Sequence, residues 1–379
     1  MKDITPFQFG PPVGEPYFCD RDDETKLLVA RIGQGINVFV LSPRRYGKSS
    51  LLVRVADRVE KAGGRVAFVN LMRCTNEVEI ANTIASAIVN KMLSRKGRAR
   101  HSLEDILKRI RISPTVSLRP DGRVELSFST AVASDSWMDV VDDAIGILRE
   151  SASSKPAALI LDEFQVVASI GPHGLGGAFK ALVDRSGGAS LVFSGSHLTV
   201  MEKLTSAKGA PLQGMGERLV LDVIALEPMV AYLQQRARVF GKSLSTEDAN
   251  LIYESANAIP NYVQQLGLSA FEAAGESLII DAAAIERGAN EIVNRQVGDY
   301  AERFEHLAPS QQRILMALAN EPTKRVYTKA FMDTIGVANA NAVKKAIDVL
   351  VERELVTSSS GVRYVADPFF KHWLSWPDG

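Results

Sequence analysis

Three short stretches carry side chains that could do chemistry together. The first is Ser42-Pro43-Arg44-Arg45-Tyr46-Gly47-Lys48-Ser49-Ser50, set between an apolar run and an amphipathic helical pattern. A tight turn placed there aims several backbone N–H groups at one anion. Lys48 would reach the β- and γ-phosphates of a nucleotide, and the Ser49 hydroxyl would hold Mg²⁺. Such a loop usually opens on Gly, and here the position is Ser42, where a side chain restricts φ. Pro43 is expected to fix the turn instead. Arg44 and Arg45 project from the loop toward phosphate, a neighbour or solvent; the sequence leaves the choice open.

The second stretch is Ala158-Leu159-Ile160-Leu161-Asp162-Glu163-Phe164-Gln165. Two carboxylates at the end of a buried strand are unfavourable unless a cation sits there. Asp162 would orient Mg²⁺ through its water shell, and Glu163 would act as general base on an attacking water. The third is Ser194-Gly195-Ser196, which ends another apolar strand. Either hydroxyl could sense the γ-phosphate or position the water, and either could equally cap a turn.

Elements that position these stretches are legible from periodicity. Apolar runs at 36–41, 65–71, 157–161, 189–193 and 219–223 read as strands. Helical patterns lie between them, so the expected core is α/β, a mostly parallel sheet with helices on both faces. Asp20 is the expected N-cap of the first helix. Residues 1–20 read as an N-terminal strap, and 112–130 as a β-hairpin inserted between two helices and turned at Pro120-Asp121-Gly122. Strands stop after 225. Helical patterns at 228–240, 246–256, 261–273 and 281–296 predict a helical lid over 226–300. Residues 301–379 predict a winged helix-turn-helix: helices at 309–319, 328–335 and 339–353, then a hairpin turned at Ser359-Ser360-Gly361.

Composition excludes several classes. Lys plus Arg is 44 and Asp plus Glu is 44, so bulk charge draws the chain to neither nucleic acid nor anionic membrane. Cys19 and Cys74 are the two cysteines, too few for a disulfide framework, and no Cys/His group has zinc spacing. The first residues lack a signal peptide's apolar core, and no apolar run reaches the ~20 residues that span a bilayer. The expectation is a cytoplasmic protein.

Taken together, Phe7, Tyr17-Phe18-Cys19-Asp20-Arg21-Asp22, Pro43-Arg44-Arg45-Tyr46-Gly47-Lys48-Ser49, Asp162-Glu163-Phe164-Gln165 and Ser194-Gly195-Ser196 resemble the archaeal-type P-loop ATPases. These are relatives of the AAA+ origin-recognition ATPases and of the signal-transduction ATPases with numerous domains. The C-terminal stretch 351–374 looks like the winged helix that closes members of this family. The resemblance implies an AAA+-like P-loop NTPase fold with a helical lid and a C-terminal winged helix, with ATP and Mg²⁺ as cofactors. It places Phe18 and Arg21 near the adenine, and Pro260, in Ala258-Ile259-Pro260, near the nucleotide. The family's Gly stands as Ala258 here. Where the family carries Pro-Leu-Tyr-Gly-Arg, this chain has Pro211-Leu212-Gln213-Gly214-Met215, so a finger arginine is missing from its usual place. Arg218 is the nearby substitute. Such a finger contributes ~10³–10⁵ in rate, so the change bears on turnover more than on binding.

Output is open among three readings. One is a slowly hydrolysing ATPase that works as a nucleotide-dependent conformational switch on a protein partner. Another is an ATP-dependent DNA-binding or loading protein, using Lys344 and Lys345 of the winged helix or the cluster Arg95, Lys96, Arg98 and Arg100. The third is a scaffold that keeps the fold and has lost hydrolysis. The oligomeric state, and whether a neighbouring subunit supplies an arginine, are not set by the sequence.

Overall fold

A computed structural model of the protein describes residues 5–93, 114–118, 124–128, 137–171, 174–337, 339–359 and 361–375. Two compact units divide the chain. One is Pro12–Val223; the other joins the described residues up to Pro11 with those from Ile224 onward.

The first unit is built on a parallel sheet of five strands: β1 (Val38–Leu41), β2 (Arg65–Asn70), β5 (Ala157–Asp162), β6 (Ser190–Gly195) and β7 (Glu217–Val220). Their order across the sheet is β2-β5-β6-β1-β7. Every residue of β1, β5 and β6 is buried, as strands covered on both faces must be. Side chains alternate between two cores. Phe39, Leu41, Leu159, Leu161, Leu191 and Phe193 face α3 (Glu77–Leu93), α4 (Trp137–Ala152) and α5 (Gly176–Arg185). Val38, Val40, Ala158, Ile160 and Val192 face α1 (Asp22–Gly33) and α2 (Lys48–Lys61). This period of two explains why the strands read as unbroken apolar runs. An antiparallel pair, β3 (Pro114–Leu118) and β4 (Val124–Phe128), forms its own two-stranded sheet where the inserted hairpin was expected.

Asp20 does not cap α1. Asp20 and Arg21 both take left-handed backbone (φ 56° and 64°), and no side chain caps the helix. The cause is Arg21, whose guanidinium is drawn inward by Glu24 and the Asp222 carbonyl.

The second unit begins with α7 (Leu226–Val239), α8 (Thr246–Ser255), α9 (Pro260–Ala273) and α10 (Ala282–Glu305), with a short parallel pair, β8 (Ser243–Leu244) and β9 (Ile279–Ile280). Ser245 and Asp281 cap α8 and α10 with their side chains. Next come α11 (Pro309–Asn320), α12 (Lys329–Thr334), α13 (Ala340–Glu352), the antiparallel β10 (Val356–Ser359) and β11 (Val362–Val365), and α14 (Pro368–Leu374). Helix α10 runs on to Glu305, past the 296 expected from sequence. Tyr300, fully buried in its last turns, packs against Phe370 of α14 with ring centroids 5.2 Å apart. The N-terminal segment belongs to this unit: Phe7 is buried edge-on to Tyr232 at 6.3 Å. Buried Arg236 donates to the carbonyls of Pro6 (2.8 Å) and Thr5 (3.2 Å), and the Gln8 N–H reaches Gln264 at 3.3 Å.

Candidate active site

Between β1 and α2 the chain turns through two left-handed residues, Arg45 (φ 71°) and Gly47 (φ 87°). Gly47 stands at the N-cap of α2, and no side chain occupies the helix's first amides. Those N–H groups and the helix dipole make an anion cradle. Ser42 lies outside the left-handed region, so the turn does not need a glycine there. Its fully buried hydroxyl donates to the Pro43 carbonyl at 3.0 Å. Tyr46 is buried beneath the loop, Pro43 is half-buried, and Arg44 and Arg45 are exposed. Lys48 is largely buried at the start of α2.

Strand order brings the other two stretches to the same edge. β6 lies between β1 and β5, and all three are parallel, so their C-terminal ends share one side of the sheet. Asp162, only 1% exposed, accepts three hydrogen bonds: from Ser49 Oγ at 2.7 Å, Ser194 Oγ at 2.8 Å and the Glu163 N–H at 3.1 Å. Hydroxyls from the loop helix and from the intervening strand thus grip the carboxylate from both sides. A buried carboxylate hydrogen-bonded to a serine hydroxyl is an oxygen donor set suited to hard Mg²⁺ on a phosphate chain. These residues fit Mg²⁺-nucleotide: Gly47, Lys48 and Ser49 on the phosphate side, Asp162 on the metal side.

Glu163 follows in left-handed backbone (φ 56°), just before a 3₁₀ turn at Phe164–Ala168. Its Oε2 accepts from Ser196 Oγ at 2.9 Å and from the Gln165 amide. Gln165 also accepts the Ser196 N–H at 3.2 Å. Sequence pattern assigns no role to Gln165 or to Gly195, where a Cβ would stand 2.4 Å from Met201 Sδ.

Ser50 Oγ accepts the Val13 N–H at 3.0 Å, so of these two neighbouring serines it is Ser49 that presents its hydroxyl to Asp162. Phe18 is packed in the core under the Arg54 guanidinium, 4.4 Å from its ring centroid. The guanidinium of Arg21 is committed to Glu24 and the Asp222 carbonyl. Arg218 is exposed on edge strand β7, paired in register with Phe39, two residues back from the end of β1. Met215 packs partly buried on the core. Pro260 is in the second unit, at the first position of α9, and Ala258 before it is left-handed (φ 59°), the conformation glycine adopts most easily. Lys344 and Lys345 are exposed on α13 with Asn341, Asp348 and Glu352. Arg95, Lys96, Arg98 and Arg100 fall outside the described residues.

The fold has counterparts among solved structures. A Walker-type ATPase of Pyrococcus abyssi is similar over 97% of this chain and 99% of its own, with a TM-score of 0.65 at 14% identity. The fold is that of an AAA+-type P-loop ATPase. The Aeropyrum pernix ORC2 protein, solved in ADPNP-ADP complexes, shares this fold with a TM-score of 0.53, 16% identity and coverage of 94% of this chain and 92% of its own. The Aeropyrum pernix ORC1 protein, solved in complex with DNA, aligns at 15% identity over 96% of this chain and 93% of its own, with a TM-score of 0.50. The model of a probable winged helix domain matches residues 298–376, so the P-loop ATPase fold here carries a C-terminal winged helix. No curated protein matches the sequence. Among the described residues no helix is long and apolar enough to cross a membrane, and no cluster of three or more His, Cys, Asp or Glu stands ready for a metal ion.

Proposed function

We propose that the chain binds ATP with Mg²⁺ and hydrolyses it slowly, working as a nucleotide-dependent conformational switch in the cytoplasm. The observation that carries this reading is Asp162, buried and held by Ser49 and Ser194 beside the loop of Gly47 and Lys48. Lys48 and the first amides of α2 bind and orient the phosphates. Ser49 and Asp162 would hold Mg²⁺, which when bound neutralises charge that develops on the phosphate oxygens. Glu163 takes the proton as a water oxygen bonds to the γ-phosphorus and the bond to the β–γ bridging oxygen breaks. Met215, standing where the resemblance expects an arginine, is consistent with slow turnover or with an arginine supplied in trans.

The test is nucleotide binding and phosphate release by purified protein. Lys48→Ala should abolish binding. Glu163→Gln should keep binding and lose hydrolysis; hydrolysis at the wild-type rate would refute the base assignment.

The winged helix match and the exposed pair Lys344 and Lys345 support a second reading, ATP-dependent binding of DNA. Asp348 and Glu352 on the same helix weaken it. Duplex binding with and without ATP across a salt series separates the two, because phosphate contacts by lysines make affinity fall steeply with salt.

A further inference from the structure

The chain passes between its two compact units twice, at Pro11–Pro12 and at Val223–Ile224. Each passage is pinned on both sides. At the second, the Asp222 carbonyl accepts from the Arg21 guanidinium in the first unit, and the Ile224 carbonyl accepts the Tyr253 hydroxyl at 2.8 Å in the second. Val223 alone lies between those anchors. At the first passage, the N-terminal segment is docked on α7 and α9 of the second unit. Arg236 holds the Thr5 and Pro6 carbonyls, and Phe7 is buried. Gln264 Oε1 accepts both the Gln8 N–H at 3.3 Å and the Tyr232 hydroxyl at 2.7 Å. A Cβ on Gly267 would stand 3.4 Å from the Phe7 ring, so α9 offers no side chain where the ring lies. Within the first unit, the Val13 N–H donates to Ser50 Oγ at 3.0 Å.

Phe9, Gly10, Pro11 and Pro12 separate the Gln8 and Val13 anchors. Four residues span at most about 14 Å, and the two prolines fix φ. Ser50 is buried in the first turn of α2, directly after the Lys48 and Ser49 that would hold nucleotide.

We propose that residues 5–13 form a tether that couples the phosphate cradle to the second unit. The inference rests on the reading of the cradle as an ATP site and names a regulation of it. Phosphates on the first amides of α2 fix that turn, and with it the Ser50 hydroxyl. Val13 is then held firmly, and the short segment before it keeps Gln8 and Phe7 on α9 and α7. Linkage makes the effect reciprocal: the docked segment strengthens nucleotide binding by the factor with which nucleotide strengthens docking.

The experiment uses the full chain, a fluorescent N-methylanthraniloyl ATP with Mg²⁺ to read binding, and hydrogen exchange of the Gln8 amide to read docking. Two variants cut the coupling and leave the residues of the cradle and of the docking groove in place. Val13→Pro removes the N–H that Ser50 accepts. Insertion of Gly-Ser-Gly-Ser between Pro11 and Pro12 lengthens the tether, and guards against a Val13→Pro chain that fails to fold. In the wild type, saturating nucleotide is expected to slow Gln8 exchange about fivefold, the low end of coupling between two sites. In either variant, Gln8 exchange is expected to be the same with and without nucleotide, and nucleotide affinity to fall about fivefold. Wild-type binding with no change at Gln8 would overturn the tether, as would slowing by nucleotide that persists in the insertion variant. If the wild type binds no nucleotide, the ATP reading falls, and the tether with it.

Discussion

Ser49 Oγ donates to Asp162 Oδ2 at 2.7 Å, joining residues 113 apart in sequence. The bond ties the first turn of α2 to the end of β5 across the intervening β6. It gives the buried carboxylate one of its three donors and brings to one point the two side chains that would share a metal.

Ser49→Ala therefore has two readable effects. Asp162 keeps Ser194 and the Glu163 N–H but loses one hydrogen bond, for a loss of about 1–3 kcal/mol in denaturant unfolding. Nucleotide binding should also lose its dependence on Mg²⁺ in titrations with and without chelator. Ser49→Thr keeps the hydroxyl and should restore both.

Gly195→Ala should destabilise the first unit. The added Cβ meets Met201 Sδ at 2.4 Å and Cγ at 2.5 Å, and Met201 is fully buried. Overpacking of this kind costs about 1–3 kcal/mol, read as a shift in the unfolding midpoint. Met201→Ala in the same chain should recover part of the loss, a non-additivity visible in a double-mutant cycle.

Arg236→Met should free the N-terminal segment. The guanidinium binds the Pro6 and Thr5 carbonyls, and hydrogen bonds to a charged group contribute about 1.5–3 kcal/mol each. Phe7 is buried, so chymotrypsin should cleave slowly after it in the wild type and quickly in the variant. Unchanged cleavage would show that Phe7 and Gln264 hold the segment unaided.

Cys19 should resist alkylation in the folded protein. Burial, with a smaller contribution from Asp20, pushes its thiol up to about 12, against the opposing pull of Arg21. The reactive thiolate is thus scarce at pH 8 to 9, and iodoacetamide should label Cys19 only after unfolding. Because the native thiol holds its proton above the unfolded value, its contribution to stability is complete below about pH 8.5 and declines as pH rises toward 12.

The sheet and its cradle were legible because both faces of β1, β5 and β6 are covered, leaving uninterrupted apolar runs with polar residues only where they end. Periodicity likewise marked α7 to α9, each bounded by a proline, a glycine or a capping serine. It failed where the reason is tertiary. The pattern of α10 weakens after 296, and the helix continues because Tyr300 finds Phe370 on a helix 68 positions later, α14, which the wing had obscured. Asp367 and Pro368 were its start signals. Arg218 is nominated by nearness in sequence, and its place on β7 beside Phe39 comes from strand register. Gln165 and Gly195 are invisible to spacing, since their roles depend on two strand ends meeting. Ser42 looked like a defect only because the loop's pattern says which residues occur, not which of them must turn left-handed.

β6 ends in Ser194 and Gly195, and Ser196 follows it, with Ser194 on Asp162 and Ser196 on Glu163. One tripeptide therefore works as a lever on both carboxylates. A shift of that strand end would reach Asp162 and Glu163 together, and helix α6 (Leu198–Thr205) starts two residues on.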